Sequence, residues 1–115
     1  FIIIILTTYL GIKYISYRIR SKYEIINYLN KFKLDYSTIE NIIFKLEENN
    51  LINDEVFVKA FINDKINFTT SGPYKIKLEL LKHNIDKYLI TFFIFVMYKD
   101  YILMLKPNEN VLANG

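Results

Sequence analysis

The chain has 115 residues, 52% of them apolar and 23% charged, with a net charge of +3, which suffices for one core or a pair of small modules and no more. Two prolines and three glycines are too few for the turns of an all-β fold, so long helices with short links are expected. Cysteine is absent, His83 is the single histidine, and no phosphate-loop, dinucleotide or nucleophile-elbow motif occurs, so no catalytic residue, metal or cofactor is expected.

Phe1–Leu6 opens the chain as an apolar run, and residues 1–10 are read as a remnant of an upstream core segment. The apolar stretches Phe1–Ile12 and Tyr88–Tyr98 both fall well short of the roughly 20 residues that span a bilayer, so no membrane association is expected. Gly11–Tyr17 reads as the end of a first helix reaching back to Thr7. Ser21 and Glu24 form a capping box, and behind it Ile25, Ile26, Leu29 and Phe32 recur at helical spacing through about Lys33. Ser37 with Glu40 suggests a second capping box, followed by the stripe Ile39, Ile42, Ile43 and Leu46, which ends at Asn49–Asn50. Asn53 is a natural N-cap for a fourth helix, with Asp54 and Glu55 in its first turn and a buried face of Phe57, Ala60 and Phe61. Thr69–Gly72 is a loop. Pro73 then starts a fifth helix through about His83, carrying Ile76, Leu80 and Leu81. Asp86 opens a sixth, which must stop by Pro107 and leaves Asn108–Gly115 as a loose tail.

Sliding the chain by 51 positions superposes its two halves without a gap. Ser21-Lys22-Tyr23-Glu24-Ile25 falls on Gly72-Pro73-Tyr74-Lys75-Ile76. Leu29 meets Leu80, Lys31 meets Lys82, Leu34 meets Ile85, Asp35 meets Asp86 and Ile39 meets Ile90. The expected fold is all-α, with tandem three-helix repeats stacked into an elongated helical array: residues 1–50, then residues 51–106, then a tail over residues 107–115. Function in such arrays usually lies on a surface, not in a pocket.

Charge comes in blocks. Gly11–Leu34 carries Lys13, Arg18, Arg20, Lys22, Lys31 and Lys33 against Glu24 alone; Asp35–Asp64 is acidic; Lys65–Lys87 is basic again. Such blocks steer a protein toward a polyanion or a mixed-charge partner, and an ordinary solvated lysine surface produces the same pattern.

Three stretches resemble one family. Tyr14-Ile15-Ser16-Tyr17-Arg18-Ile19-Arg20-Ser21 resembles the opening of the first helical repeat of RecX proteins. Leu51–Phe61 (LINDEVFVKAF) and Gly72–Leu80 (GPYKIKLEL), the latter followed by Ile85, resemble two further elements of that family in the same order and spacing. Ile19 stands where the family commonly has proline and Asn53 where it has an acidic residue, and two of the usual three repeats are recognisable. The resemblance implies a cytoplasmic, monomeric, non-catalytic regulator in recombination, DNA repair and the SOS response. Its partner would be the RecA nucleoprotein filament, whose ATPase and strand exchange it restrains, with DNA reached, if at all, through the filament. Arg18, Arg20 and Lys22 sit at one helix junction, where backbone N–H groups also favour anions, and Lys75, Lys77 and Lys82 follow the equivalent junction. These six are the candidate contacts with the filament or its DNA. Tyr14, Tyr17, Tyr23, Tyr28 and Tyr74 are read as packing between helices, His83 as structural, and Asp54, Glu55 and Asp64 as helix-start and surface acids. Two other readings compete: a small basic helical module that binds nucleic acid directly, and an inactive fragment.

Overall fold

The computed structural model describes residues 2–104, with side chains through residue 99. Six helices occupy the described residues, and no strand is present among them: α1 (Ile2–Tyr17), α2 (Lys22–Asn30), α3 (Tyr36–Glu48), α4 (Asp54–Phe68), α5 (Pro73–Leu81) and α6 (Lys87–Met104). The described residues divide between Ala60 and Phe61, inside α4, into two compact units. None of these helices is long and apolar enough to cross a membrane.

The boundaries of α2 and α5, and the starts of α3 and α6, recur at the spacing that the sequence repeat demands. Helices α2 and α5 start at Lys22 and Pro73 and end at Asn30 and Leu81, while α3 and α6 start at Tyr36 and Lys87. The N-caps Ser21 and Gly72 have nearly the same backbone angles, φ −78°, ψ 159° and φ −82°, ψ 170°. After both helices the chain reverses through a left-handed residue, Lys33 at φ 56° and Asn84 at φ 58°. These helices stop three residues (α2) and two residues (α5) before the sequence expectation, because the left-handed residue redirects the chain toward its following aspartate.

In the first unit α1, α2 and α3 pack pairwise on one another. Their core is Ile25, Leu29, Ile39, Ile42, Ile43 and Leu46 with Ile52, and Tyr14, Ile15 and Leu34 lie against it. Each fully buried aliphatic side chain contributes about 1.5–3 kcal/mol of transfer free energy. In the second unit α5 packs along α6, and the buried side chains include Ile62, Ile76, Leu80, Ile85, Ile90, Phe93 and Ile94. On α4 the expected buried face is corrected. Phe57 is buried, but Val58 and Ile62 are the fully enclosed residues, while Ala60 and Phe61 remain half-buried.

Two helix starts also differ from expectation. Helix α1 begins at Ile2, five residues before Thr7, because nothing before Gly11 breaks it, and the hydroxyls of Thr7 and Thr8 bond back to the carbonyls of Ile3 and Ile4 at 2.7 Å each. Helix α3 is capped by Asp35, not by a Ser37–Glu40 box. The Asp35 carboxylate accepts from the Thr38 N–H at 3.3 Å, and its hydrogen bonds to Thr38 hold its pKa below the ordinary value. Asp86 caps α6 in the same way, accepting from the Leu89 N–H at 3.3 Å. Asn53 caps α4 as expected, accepting from Glu55 and Val56. The stop before Pro107 and the tail Asn108–Gly115 lie outside the described residues.

Gly11 is buried on α1 and faces Leu46 and Leu29. A methyl placed there would rest 3.8 Å from a Leu46 methyl and 4.0 Å from a Leu29 methyl, ordinary contact distances. Gly11→Ala is therefore expected to stabilise the chain by about 1 kcal/mol, through helix propensity and a filled contact. A rise in the urea midpoint with an unchanged slope would show it; a fall would mean that α1 must approach more closely than these distances require.

Candidate functional site

The junction between α1 and α2 gathers two of the first three candidate cations, Arg18 and Arg20, around one carboxylate. Ser21 and Glu24 close a reciprocal capping box: the Ser21 Oγ accepts from the Glu24 N–H at 3.2 Å, and the Ser21 N–H donates to Glu24 Oε1 at 3.1 Å. The Glu24 carboxylate also takes an ion pair from Arg18, and Arg20 approaches it to 3.7 Å. Arg20 goes no further. Its Nε donates to the Tyr14 carbonyl at 3.2 Å, its guanidinium lies 3.7 Å from the Tyr14 ring centre, and only 13% of its side chain is exposed. Behind it Tyr14 stacks flat on Tyr28 with centroids 4.2 Å apart, and Phe32 meets Tyr28 edge-on at 5.4 Å. Arg20 is thus committed to holding the junction together.

Lys22 is tied from both ends. Its backbone N–H, one of the orphan donors of α2, donates to Asp54 Oδ1 at 2.8 Å, and its ammonium lies 3.6 Å from Glu47. Asp54 therefore does more than favour its own helix start: it fastens the start of α4 to the start of α2. Of the three cations only Arg18 and Lys22 keep about half of their side chains in solvent, and each is ion-paired.

On α5 the candidates separate. Lys75 and Lys82 line one side of the helix with Leu78 and Glu79, around a shallow depression of about 520 Å³, whereas Lys77 does not line it. Helical geometry explains the split, since residues 75, 78, 79 and 82 follow the i, i+3, i+4, i+7 rule and residue 77 does not. Opposite them Phe61 meets the His83 ring edge-on at 6.2 Å, and Lys65 pairs with Glu79 at 3.1 Å. Phe61 is expected from the sequence on a buried face, whereas neither Lys65 nor Glu79 stands out by motif and nothing in the sequence pairs them.

The tyrosines divide too. Tyr14 and Tyr28 pack as expected, whereas Tyr17, Tyr23 and Tyr74 are exposed. Tyr23 and Tyr74 lie at the second helical position of α2 and α5, two residues before the buried Ile25 and Ile76, and two residues is half a turn. Among the described residues no three acidic or histidine side chains converge as a metal site would require.

The family model for the second three-helix domain of RecX matches residues 53–91. Over 81 residues the chain is 40% identical to the regulatory protein RecX of Streptococcus agalactiae serotype III, a match spanning 70% of this chain and 31% of that protein. The RecX of Lactococcus lactis subsp. lactis is 38% identical over 82 residues, covering 70% of the chain and 30% of the relative. The crystal structure of RecX from Lactobacillus salivarius is similar with a TM-score of 0.76 and 28% identity, covering 81% of this chain and 60% of that one. The chain belongs to the RecX family.

The shared segment is a little under a third of the length of these curated RecX relatives. Lys75, Lys77 and Lys82 lie within the stretch matched by the RecX domain model, and Arg18, Arg20 and Lys22 lie upstream of it.

Proposed function

We propose that this chain is a non-catalytic regulator that binds the RecA nucleoprotein filament and restrains its ATPase and strand exchange. In this reading it works as a cytoplasmic monomer, DNA is reached through the filament, and the repeat divides after Asn50. The observation that carries it is the 40% identity to proteins named regulatory protein RecX. The surface chemistry fits a protein partner better than bare DNA. Arg18 and Lys22 present their charge beside Glu24 and Glu47, and Lys65 beside Glu79, so much of the basic surface is a mosaic of both signs. Mosaics of this kind set register and specificity against a polymer of alternating potential, whereas a phosphate backbone rewards uncompensated cations. We assign contact to Arg18, Lys22, Lys75, Lys77 and Lys82, and to Arg20 the task of holding the α1–α2 junction.

The test is DNA-stimulated ATP hydrolysis by RecA, titrated with the chain at fixed salt, beside binding to bare single- and double-stranded DNA. The expected result is inhibition well below one chain per RecA with little affinity for DNA alone. Direct DNA binding whose logarithm falls by about 0.9 per log unit of salt for each phosphate neutralised, without inhibition, would establish the nucleic-acid module instead. A folded monomer that neither inhibits nor binds would end the regulator reading for this segment.

A further inference from the structure

The same place in the two units is built in opposite ways. In the first unit Tyr14, Tyr28 and Phe32 form a continuous aromatic stack, with the Lys31 ammonium 5.9 Å from the Tyr28 ring centre. One repeat later these four positions hold Lys65, Glu79, His83 and Lys82. Three rings have become an ion pair and an imidazole, and the Lys65 ammonium, 5.3 Å from the Phe61 ring centre, draws the Glu79 carboxylate to one side. Around Glu79, His83 and Lys82 lies the depression of about 520 Å³, lined also by Leu78, Phe61 and Lys75. What the first unit fills with its own side chains, the second leaves as a depression among the described residues.

We infer that this depression is a docking site for an aromatic side chain of a partner protein, carried on a segment with acidic residues beside it. The first unit supplies the shape argument: the homologous position is packed with aromatic rings, and a lysine ammonium lies 5.9 Å from the centre of one of them. Charge supplies the rest. Glu79 is compensated by Lys65, so Lys75 and Lys82, which form no ion pair among the described residues, leave the rim net positive. They stand two helical turns apart, about 10 Å along α5, so carboxylates on both sides of a central ring would each meet one lysine. A nucleic-acid strand fits less well, because the Glu79 carboxylate lines the depression and would repel phosphates, and Leu78 beside it is aliphatic. The inference rests on the regulator reading only for which protein supplies the segment.

The chain has no tryptophan, so the emission of a tryptophan probe belongs wholly to the probe. We would titrate the full chain into a blocked Asp-Glu-Trp-Asp-Glu peptide, following its emission and anisotropy with no RecA present, so that failure here is separate from failure of the ATPase test. The expected result is a saturable blue shift. Lys75→Gln with Lys82→Gln should weaken binding by about tenfold, roughly 1.4 kcal/mol. Lys65→Tyr with Glu79→Tyr and His83→Phe, which rebuilds the aromatic stack of the first unit, should abolish it. Lys75 and Lys82 are exposed, so the lysine pair tests the site even if the rebuilt stack fails to fold. Absence of binding, binding unchanged in the lysine variant, or displacement of the peptide by an oligothymidylate would each overturn the inference.

Discussion

Leu29→Ala is expected to lower the unfolding free energy by about 3 kcal/mol. Leu29 is fully buried and shares its core with Ile25, Ile42 and Leu46, while α1 meets it at Gly11, which has no side chain to move into a vacated space. Three removed carbons would therefore cost their transfer free energy and also leave a cavity that the neighbours cannot close. Urea denaturation followed by circular dichroism would measure it, with Leu81→Ala, at a position 38% exposed, expected to stay within about 1 kcal/mol of the parent. A loss below about 1 kcal/mol at Leu29 would mean that the three helices of the first unit collapse onto the gap, and that their packing is looser than the buried residues imply.

The second large effect is expected at Glu24. Its carboxylate, with 14% of the side chain exposed, serves the Ser21 N–H, Arg18 and Arg20 together. Glu24→Ala removes the return half of the capping box and leaves the mostly enclosed Arg20 guanidinium without its counter-charge, for an expected loss of about 2 kcal/mol. Glu24→Gln keeps an acceptor for the Ser21 N–H and loses only the charge, so about half of that is expected. If the two variants melted together, the capping hydrogen bond would contribute nothing and the ion pairs everything. Arg18 would lose its ion pair in both variants, so a rise in non-specific DNA binding with either one would also show that Glu24 masks positive charge in the parent.

Much of this protein is written in near-neighbour patterns. The capping box at Ser21, the cap at Asn53, proline at the start of α5 and the apolar stripe of α3 all depend on residues three or four apart, so periodicity and residue chemistry were enough to find them. The repeat was equally legible, because a shift of 51 positions compares residue types and needs no coordinates. Its physical reality is plain in the paired helix starts and in the left-handed residues Lys33 and Asn84. Even the error at α3 was local: Asp35 and Ser37 are both competent caps, and the turn left by the left-handed Lys33 brings Asp35 to the helix start first.

Which charges remain available for a partner was a different kind of question. By composition Arg18, Arg20 and Lys22 are alike, yet Arg20 is folded against Tyr14, Lys22 faces Glu47 and Arg18 leans on Glu24. The contact between the Lys22 N–H and Asp54 joins residues 32 positions apart, a separation at which no periodicity operates. Likewise Lys65 and Glu79, of opposite charge and on different helices, give no sign in sequence that they meet or that a depression opens beside them. Sequence by itself determined the helices, their caps and their repetition, since those follow from backbone hydrogen bonding and apolar spacing within a few residues. Tertiary structure decided which cations are neutralised and where one unit is filled and the other leaves a depression, because these depend on side chains that only packing brings within a few ångströms.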